Sequence, residues 1–224
     1  MTRQSILLTV GLAIASFVAG SDARAATSDR LTAAADTLQA LVNIPEAEKG
    51  VPQDLLKKAQ CVVVVPSLKS AALGVGGEYG RGFVSCRRGS GWTAPAAVKV
   101  EGGSFGFQIG GSETEVVMLV MNQKGMDRLL TNKFTLGADA TVAAGPVGRS
   151  AEAKTDAAMT AEILSYSRSR GLFAGVSLSG ATLREDDSAN KDLYGKELTN
   201  REVLSGKREW PADAKPLRDA LSKL

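Results

Sequence analysis

The chain has 224 residues, of which 44% are apolar and 23% charged, and its formal net charge is +3. This length and balance indicate one folded domain with a hydrophobic core, and they exclude a disordered chain or one that wraps nucleic acid through its overall charge. The absence of His excludes His-based catalytic triads and His-ligated zinc or haem sites. The 24 Gly residues are typical of a sheet with many tight bends.

The first 25 residues have the pattern of an export signal. An apolar stretch at 6–20 is followed by the motif Ala23-x-Ala25, which is typical of a signal-peptide cleavage site. The stretch is shorter than the ~20 residues that span a bilayer. We therefore expect residues 1–25 to be a removed signal peptide, with an uncleaved membrane anchor as the alternative. The mature chain would begin at Ala26 and be periplasmic or secreted, with peripheral membrane association allowed.

The mature chain is predicted to be a single α+β domain over 26–224. Its core is expected to be a Gly-rich, strongly curved antiparallel sheet or flattened barrel, flanked by N- and C-terminal helices. The apolar periodicity places N-terminal helices in 26–60, the β-rich core in 61–183 and C-terminal helices in 184–224. Helices are predicted at 28–43, 52–59, 124–131, 188–194, 200–204 and 212–224. Strands are predicted at 62–65, 83–86, 96–100, 105–109, 116–121, 134–144, 162–167 and 172–183, separated by Gly- and Ser-rich turns.

The two cysteines stand at the ends of apolar runs that resemble strands. Cys61 begins one run and Cys86 ends another. Export would bring both thiols into an oxidising compartment, where a disulfide can form. The sequence leaves two alternatives open, a Cys61–Cys86 disulfide and two buried, unpaired thiols.

The common catalytic and cofactor motifs are absent. The Gly-rich segment 74–82 does not match the G-x-G-x-x-G spacing, the chain contains no P-loop, and no His is present to activate a serine. The acidic residues near 186–192 lack the spacing of a calcium loop. We therefore expect no catalytic residue, no metal and no cofactor. A hydrolase with an unrecognised pair of carboxylates is the remote enzymatic alternative.

A cluster of basic residues in the second half of the chain is the most suggestive feature. It contains Arg149, Lys154, Arg168, Arg170 and Arg184, and most of these stand among Ser and Gly residues. Hydroxyl and backbone N–H groups beside such cations suit phosphate oxygens. The first four are our candidate lipid-binding residues. The alternative is that they are ordinary surface cations, some of them paired with acidic neighbours.

Six blocks of sequence resemble the SYLF domain family, and together they cover roughly 26–206. They are GGEYGRG at 76–82, GWTAPA at 91–96, GFQIG at 106–110, LGADATVAAGPVGR at 136–149, YSRSRGLFAGVSL at 166–178 and NKDLYGK at 190–196. The resemblance implies a non-enzymatic domain that binds phosphoinositides or other anionic phospholipids, with actin binding in some eukaryotic members. Actin is not expected as the partner of an exported, bacterial member. In eukaryotic relatives an amphipathic segment at the start of the domain assists lipid binding, and 28–42 is its counterpart here, although it lacks aromatic residues.

Two functional hypotheses follow. The first is a module that binds anionic phospholipids or a membrane surface through the basic residues. The second is a structural or scaffold protein of the cell envelope that binds another protein. Convergence of the basic side chains on one face or groove would favour the lipid, and their scatter would favour the scaffold.

Overall fold

The computed structural model describes residues 4–44, 50–148, 160–169 and 172–224, with side chains described from residue 22 onward except at 72–75 and 104–110. The chain has an α+β fold with one strongly curled eight-stranded sheet and helices at both ends. This confirms the predicted fold class.

The described helices lie close to their predicted positions, except that α1 begins at Gln4, well before its predicted start at residue 28. They are α1 Gln4–Asn43, α2 Gln53–Lys58, α3 Gln123–Leu129, α4 Asp187–Tyr194, α5 Asn200–Leu204 and α6 Lys215–Leu221, with a 3₁₀ turn at Ala212–Ala214 before α6. Within the described part of the chain, no helix combines the length and apolar character needed to cross a membrane. The cleavage of residues 1–25 stays a prediction.

The sheet is built on two very long antiparallel strands. The strands are β1 Cys61–Arg88, β2 Gly91–Trp92, β3 Ala96–Val120, β4 Lys133–Thr135, β5 Val142–Ala144, β6 Ile163–Ser169, β7 Leu172–Gly175 and β8 Thr182–Glu185. The ladder between β1 and β3 continues through the Gly-rich segments, where Gly77 pairs with Gly103, and it is interrupted by two register shifts. Gly keeps both backbone hydrogen-bonding groups, so these segments bend within the ladder and do not form the turns that the sequence predicted.

Two further predictions about the strands are wrong in detail. The predicted strand at 134–144 is split into β4 and β5 by a turn in which Gly137 has a φ of +86°, a conformation that side-chain-bearing residues rarely adopt. The predicted strand at 172–183 is likewise split into β7 and β8. One pair of the sheet, β5 with β6, is parallel, and the other strand pairs are antiparallel.

The two ends of β1 meet because the β1–β3 ribbon curls back on itself. Cys61 and Cys86 form a disulfide between the first and the third-last residue of the strand. Next to it, the backbone N–H of Arg87 donates to the carbonyl oxygen of Gln60 at 2.7 Å. Of the two alternatives left open for the cysteines, the structure has the disulfide, which joins the two ends of β1.

Glycines allow this close approach. A Cβ atom on Gly80 would lie 2.6 Å from a methyl group of Val65 and 2.9 Å from the carbonyl oxygen of Ser67, and one on Gly82 would overlap the carbonyl group of Val64. Both glycines belong to the GGEYGRG block. The physical role of this part of the motif is therefore to let the end of β1 pass against its beginning.

Both faces of the sheet are buried, so the period-two alternation of strand side chains divides β1 between two hydrophobic clusters. Val62 and Val64 pack in the cluster that faces α1, α4 and α6, whereas Cys61, Val63 and Val65 pack in the cluster on the opposite face. An unbroken run of β-branched residues is typical of a strand that is covered on both sides.

The first cluster takes in the apolar face of α1. Leu31, Ala34, Leu38 and Leu41 are each 0% exposed, and burial of each Leu contributes about 1.5–3 kcal/mol to stability. This face is therefore part of the protein core. The counterpart of the lipid-binding amphipathic segment has no free apolar face to offer a membrane along these residues.

Candidate functional site

A basic pocket of about 240 Å³ lies between α1 and the curled strand β1. It is lined by residues from one turn of α1 and from the two parts of β1 that approach each other. These are Arg30, Pro66, Ser67, Lys69, Tyr79, Gly80 and Arg81. We call this feature the basic pocket.

Arg81 is held in place by a buried carboxylate. Its Nε donates to Asp186, which is 0% exposed, and its Nη2 donates to the hydroxyl of Ser188 at 2.9 Å. The ammonium group of Lys99 lies 3.3 Å from the same carboxylate. Asp186 also accepts the backbone N–H of Ala189 as the N-cap of α4, so one carboxylate fixes the start of the helix and the Arg81 side chain together.

The charges around Asp186 favour its ionised form. Burial by itself raises the pKa of Asp186, but the hydrogen bonds from Arg81 and Ser188 outweigh burial and leave the pKa below its usual value. In turn, the hydrogen bond to Asp186 raises the pKa of Arg81. This pair is therefore charged at neutral pH and screened from solvent on the carboxylate side.

Arg30 contributes a second, less compensated charge. It is half-buried on α1, and burial together with the positive charge of Arg81 lowers its pKa, although a guanidinium stays protonated at neutral pH. Within the described part of the chain, Arg30 has no carboxylate partner in an ion pair. Its charge is thus partly desolvated, and it faces another cation.

The rim of the basic pocket adds a third cation and an aromatic ring. Lys69 is exposed, and Tyr79 is 46% exposed, which is unusual for a large side chain in the described part of this chain. The hydroxyl of Ser67 donates to Glu113 on the neighbouring strand. With the guanidinium groups below, this rim presents positive charge and hydrogen-bond donors, the groups that bind phosphate oxygens.

The predicted lipid-binding residues are only partly described. Arg149, Lys154 and Arg170 lie outside the described residues. Arg168 lies on β6 and forms an ion pair with Glu115 on β3, to which its Nη2 donates at 2.7 Å. Arg184, on β8, lies 3.3 Å from Glu101 near the other end of β3. These two cations are therefore separated and paired, and they do not converge on each other.

Arg168 nevertheless lies at the same end of the sheet as the basic pocket. Glu115 pairs with Arg168, and the adjacent Val116 pairs with Val65, which precedes the pocket residue Pro66. Two strand spacings of ~4.8 Å separate β1 from β6 here, about 10 Å in all. Arg168 and the basic pocket can thus face one extended anionic surface.

Sequence reasoning missed the basic pocket. Its cations come from one helix and from two distant parts of one strand, so no local spacing reveals them. The single signal was Arg81, which lies between Gly80 and Gly82 in the GGEYGRG block. A charged residue between two glycines that must pack against backbone is a candidate for a constrained side chain.

Comparison with known proteins identifies a family. Residues 101–224 match the family model described as Ysc84, Las17-binding protein actin regulator. The chain is 38% identical over 181 residues to the SH3 domain-containing protein PJ696.02 of Schizosaccharomyces pombe, with 79% of this chain and 42% of the relative covered. It is 34% identical to Protein YSC84 of Saccharomyces cerevisiae, with 76% and 37% covered.

A human relative gives the same result. SH3 domain-containing YSC84-like protein 1 of Homo sapiens is 32% identical over 176 residues, with 78% of this chain and 51% of the relative covered. The chain thus spans about half or less of the length of these relatives. The names of the Schizosaccharomyces pombe and human proteins state that they contain SH3 domains. The matches confirm the resemblance that the sequence blocks predicted.

Proposed function

Because this chain belongs to the Ysc84/SYLF domain family, we propose that it is a non-enzymatic module that binds anionic phospholipids at a membrane surface. We propose further that it acts in the periplasm or outside the cell after residues 1–25 are removed. Attraction between clustered cations and the lipid phosphates would hold it at the membrane periphery.

The observation that carries this proposal is the convergence of Arg30, Lys69 and Arg81 on one pocket. Asp186 compensates Arg81, but the described part of the chain places no carboxylate in an ion pair with Arg30 or Lys69. The basic pocket therefore brings three cations together, with the carboxylates of Asp186 and Glu113 beside them, although the whole chain has a net charge of only +3. Of the predicted cluster of Arg149, Lys154, Arg168 and Arg170, the structure describes Arg168, which lies at the same end of the sheet as the basic pocket.

Co-sedimentation with vesicles tests the contribution of that cluster. We expect the Arg168→Ala/Arg170→Ala variant to bind anionic vesicles more weakly than wild type, because each basic residue near an anionic surface contributes on the order of 1 kcal/mol. Binding should fall steeply as salt rises, because the attraction is Coulombic. The Lys215→Ala variant is the control, since Lys215 is 77% exposed on α6, outside the lining of the basic pocket. Equal binding by wild type and the double variant would contradict the assignment of the cluster.

A second candidate function is binding to another protein. The matching family is described as Las17-binding, and LAS seventeen-binding protein 3 of Saccharomyces cerevisiae bears a name of the same kind. For an exported chain, the corresponding partner would be a protein of the cell envelope. Cross-linking in intact cells that captures one envelope protein, together with no binding to anionic vesicles, would favour this function over the lipid.

A further inference from the structure

We propose that the basic pocket is a saturable site for a single phosphate monoester, bound by Arg30, Lys69 and Arg81. The inference rests on the proposed phospholipid function and deepens it, since it names the chemical group recognised and the residues that recognise it. The source of that group is either a lipid headgroup or a small soluble phosphate ester. A diffuse attraction to a charged surface would neither saturate at one ligand nor distinguish one kind of phosphate group from another.

The size of the basic pocket fits a small polar group. Its volume is about 240 Å³, which is below the ~300–1,000 Å³ of clefts that enclose drug-sized ligands. The lining combines the cations Arg30, Lys69 and Arg81 with Ser67, Tyr79 and Pro66, and apolar atoms make up more of its surface than polar atoms do. A phosphate group with a short ester substituent matches both the volume and the donors.

The pocket is also organised before any ligand arrives. Asp186 and Ser188 fix the guanidinium of Arg81 by accepting hydrogen bonds from Nε and Nη2. These two bonds occupy one side of the planar guanidinium group. The backbone beneath is fixed by the close packing of Gly80 against Val65 and Ser67. Little side-chain entropy remains to be lost at Arg81 on binding, which favours affinity.

In the unbound pocket, burial and mutual repulsion make the positive charges unfavourable, and a bound anion would relieve this. Arg30 is half-buried and is repelled by Arg81, and both effects lower its pKa. A phosphate monoester carries about −1.5 to −2 charges at neutral pH, whereas a phosphate diester carries one fewer ionisable oxygen. A pocket that gathers three cations, with Asp186 on its far side and Glu113 at its rim, should therefore favour the monoester.

The experiment compares phosphatidic acid, a monoester, with phosphatidylglycerol, a diester, in phosphatidylcholine vesicles adjusted to equal surface potential. Binding of the full protein is titrated with and without soluble glycerol 3-phosphate as competitor. The variants are Arg30→Gln and Lys69→Gln. Lys215→Gln is the matched control, since Lys215 is 77% exposed on α6, outside the pocket lining. Circular dichroism establishes the folding of each variant.

We expect wild type and Lys215→Gln to bind the phosphatidic acid vesicles about tenfold more tightly than the phosphatidylglycerol vesicles, and glycerol 3-phosphate to compete. Arg30→Gln and Lys69→Gln should lose the preference. Arg30→Gln should also unfold at the same or a higher temperature than wild type, which a merely structural role would not produce. If Arg30→Gln does not fold, the exposed Lys69 provides the same test.

Other outcomes separate the inference from the proposed function. Equal binding to both vesicle types, unaffected by the pocket variants, would overturn the inference and leave general binding to anionic phospholipids in place. No binding to any vesicle, with thermal stabilisation of wild type but not of Arg30→Gln by glycerol 3-phosphate, would support the pocket and contradict the lipid function. An absence of both effects would overturn both.

Discussion

Reduction of the Cys61–Cys86 disulfide should lower the free energy of unfolding substantially without removing any atom from the core. The two cysteines are 25 residues apart in sequence. Restricting a loop of that length in the unfolded chain stabilises the folded state by about 3.5 kcal/mol in the chain-entropy model. Because both residues are buried, the reduced thiols would stay packed as small apolar groups. The loss is large beside the ~5–15 kcal/mol stability of a typical domain.

Urea unfolding of the oxidised and the reduced protein, followed by far-UV circular dichroism, measures this difference. For a domain of this size the loss corresponds to a fall in Tm of roughly 7–14 °C. The Cys61→Ala/Cys86→Ala variant is the control and should be insensitive to reductant. If oxidised and reduced protein unfold at the same urea concentration, the disulfide does not join the two ends of β1, and our description of how the ribbon closes would be wrong.

Three further predictions follow from the fold and its charges. Gly82→Ala should destabilise the protein by several kcal/mol, roughly the cost of severe overpacking, whereas Gly103→Ala, where nothing lies within 4 Å of the new Cβ, should have little effect in thermal unfolding. Asp186→Asn should destabilise the protein at neutral pH, because it leaves two half-buried cations without their counter-charge, while the exposed control Asp187→Asn should not. Because the pKa of Asp186 is lowered in the folded protein, its ionised carboxylate stabilises the fold at pH values above its unfolded pKa of about 3.9. This stabilisation is lost as the pH falls through the pKa of the folded state. The stability of Asp186→Asn in urea should therefore decrease less than that of wild type as the pH is lowered. Intact-mass measurement of the protein recovered from its native host should give a chain that starts at Ala26, and a mass that includes residues 1–25 would contradict the signal peptide.

Local physical rules account for the elements that the sequence predicted well. Helix α5 begins and ends where predicted, because Thr199 and Glu202 form a capping box at its start. Helix α4 ends at Tyr194, its predicted last residue, because the next residue, Gly195, is a C-cap in the left-handed conformation. The run of Val at 62–65 is a buried strand, as its length and β-branched residues indicated.

The long ribbon and the basic pocket depend on contacts that have no local signature. Gly-rich segments can turn or can bend within a ladder, and only the pairing of β1 with β3 decides between these alternatives. Arg30 and Arg81 come together because β1 curls, and that curl requires the packing of Gly80 and Gly82 against distant backbone. Likewise, the partner of Arg168 is Glu115 on another strand, whereas the sequence directed attention to acidic residues nearby in the chain.

The most direct test of the proposed function is the partition of wild-type protein between buffer and vesicles of phosphatidylcholine, with and without an anionic phospholipid, at low salt. Contributions on the order of 1 kcal/mol from each of about four basic residues predict binding to the anionic vesicles roughly two to three orders of magnitude tighter than to the neutral ones. Equal partition into both, or binding to neither, would contradict the account and make a protein partner the better explanation.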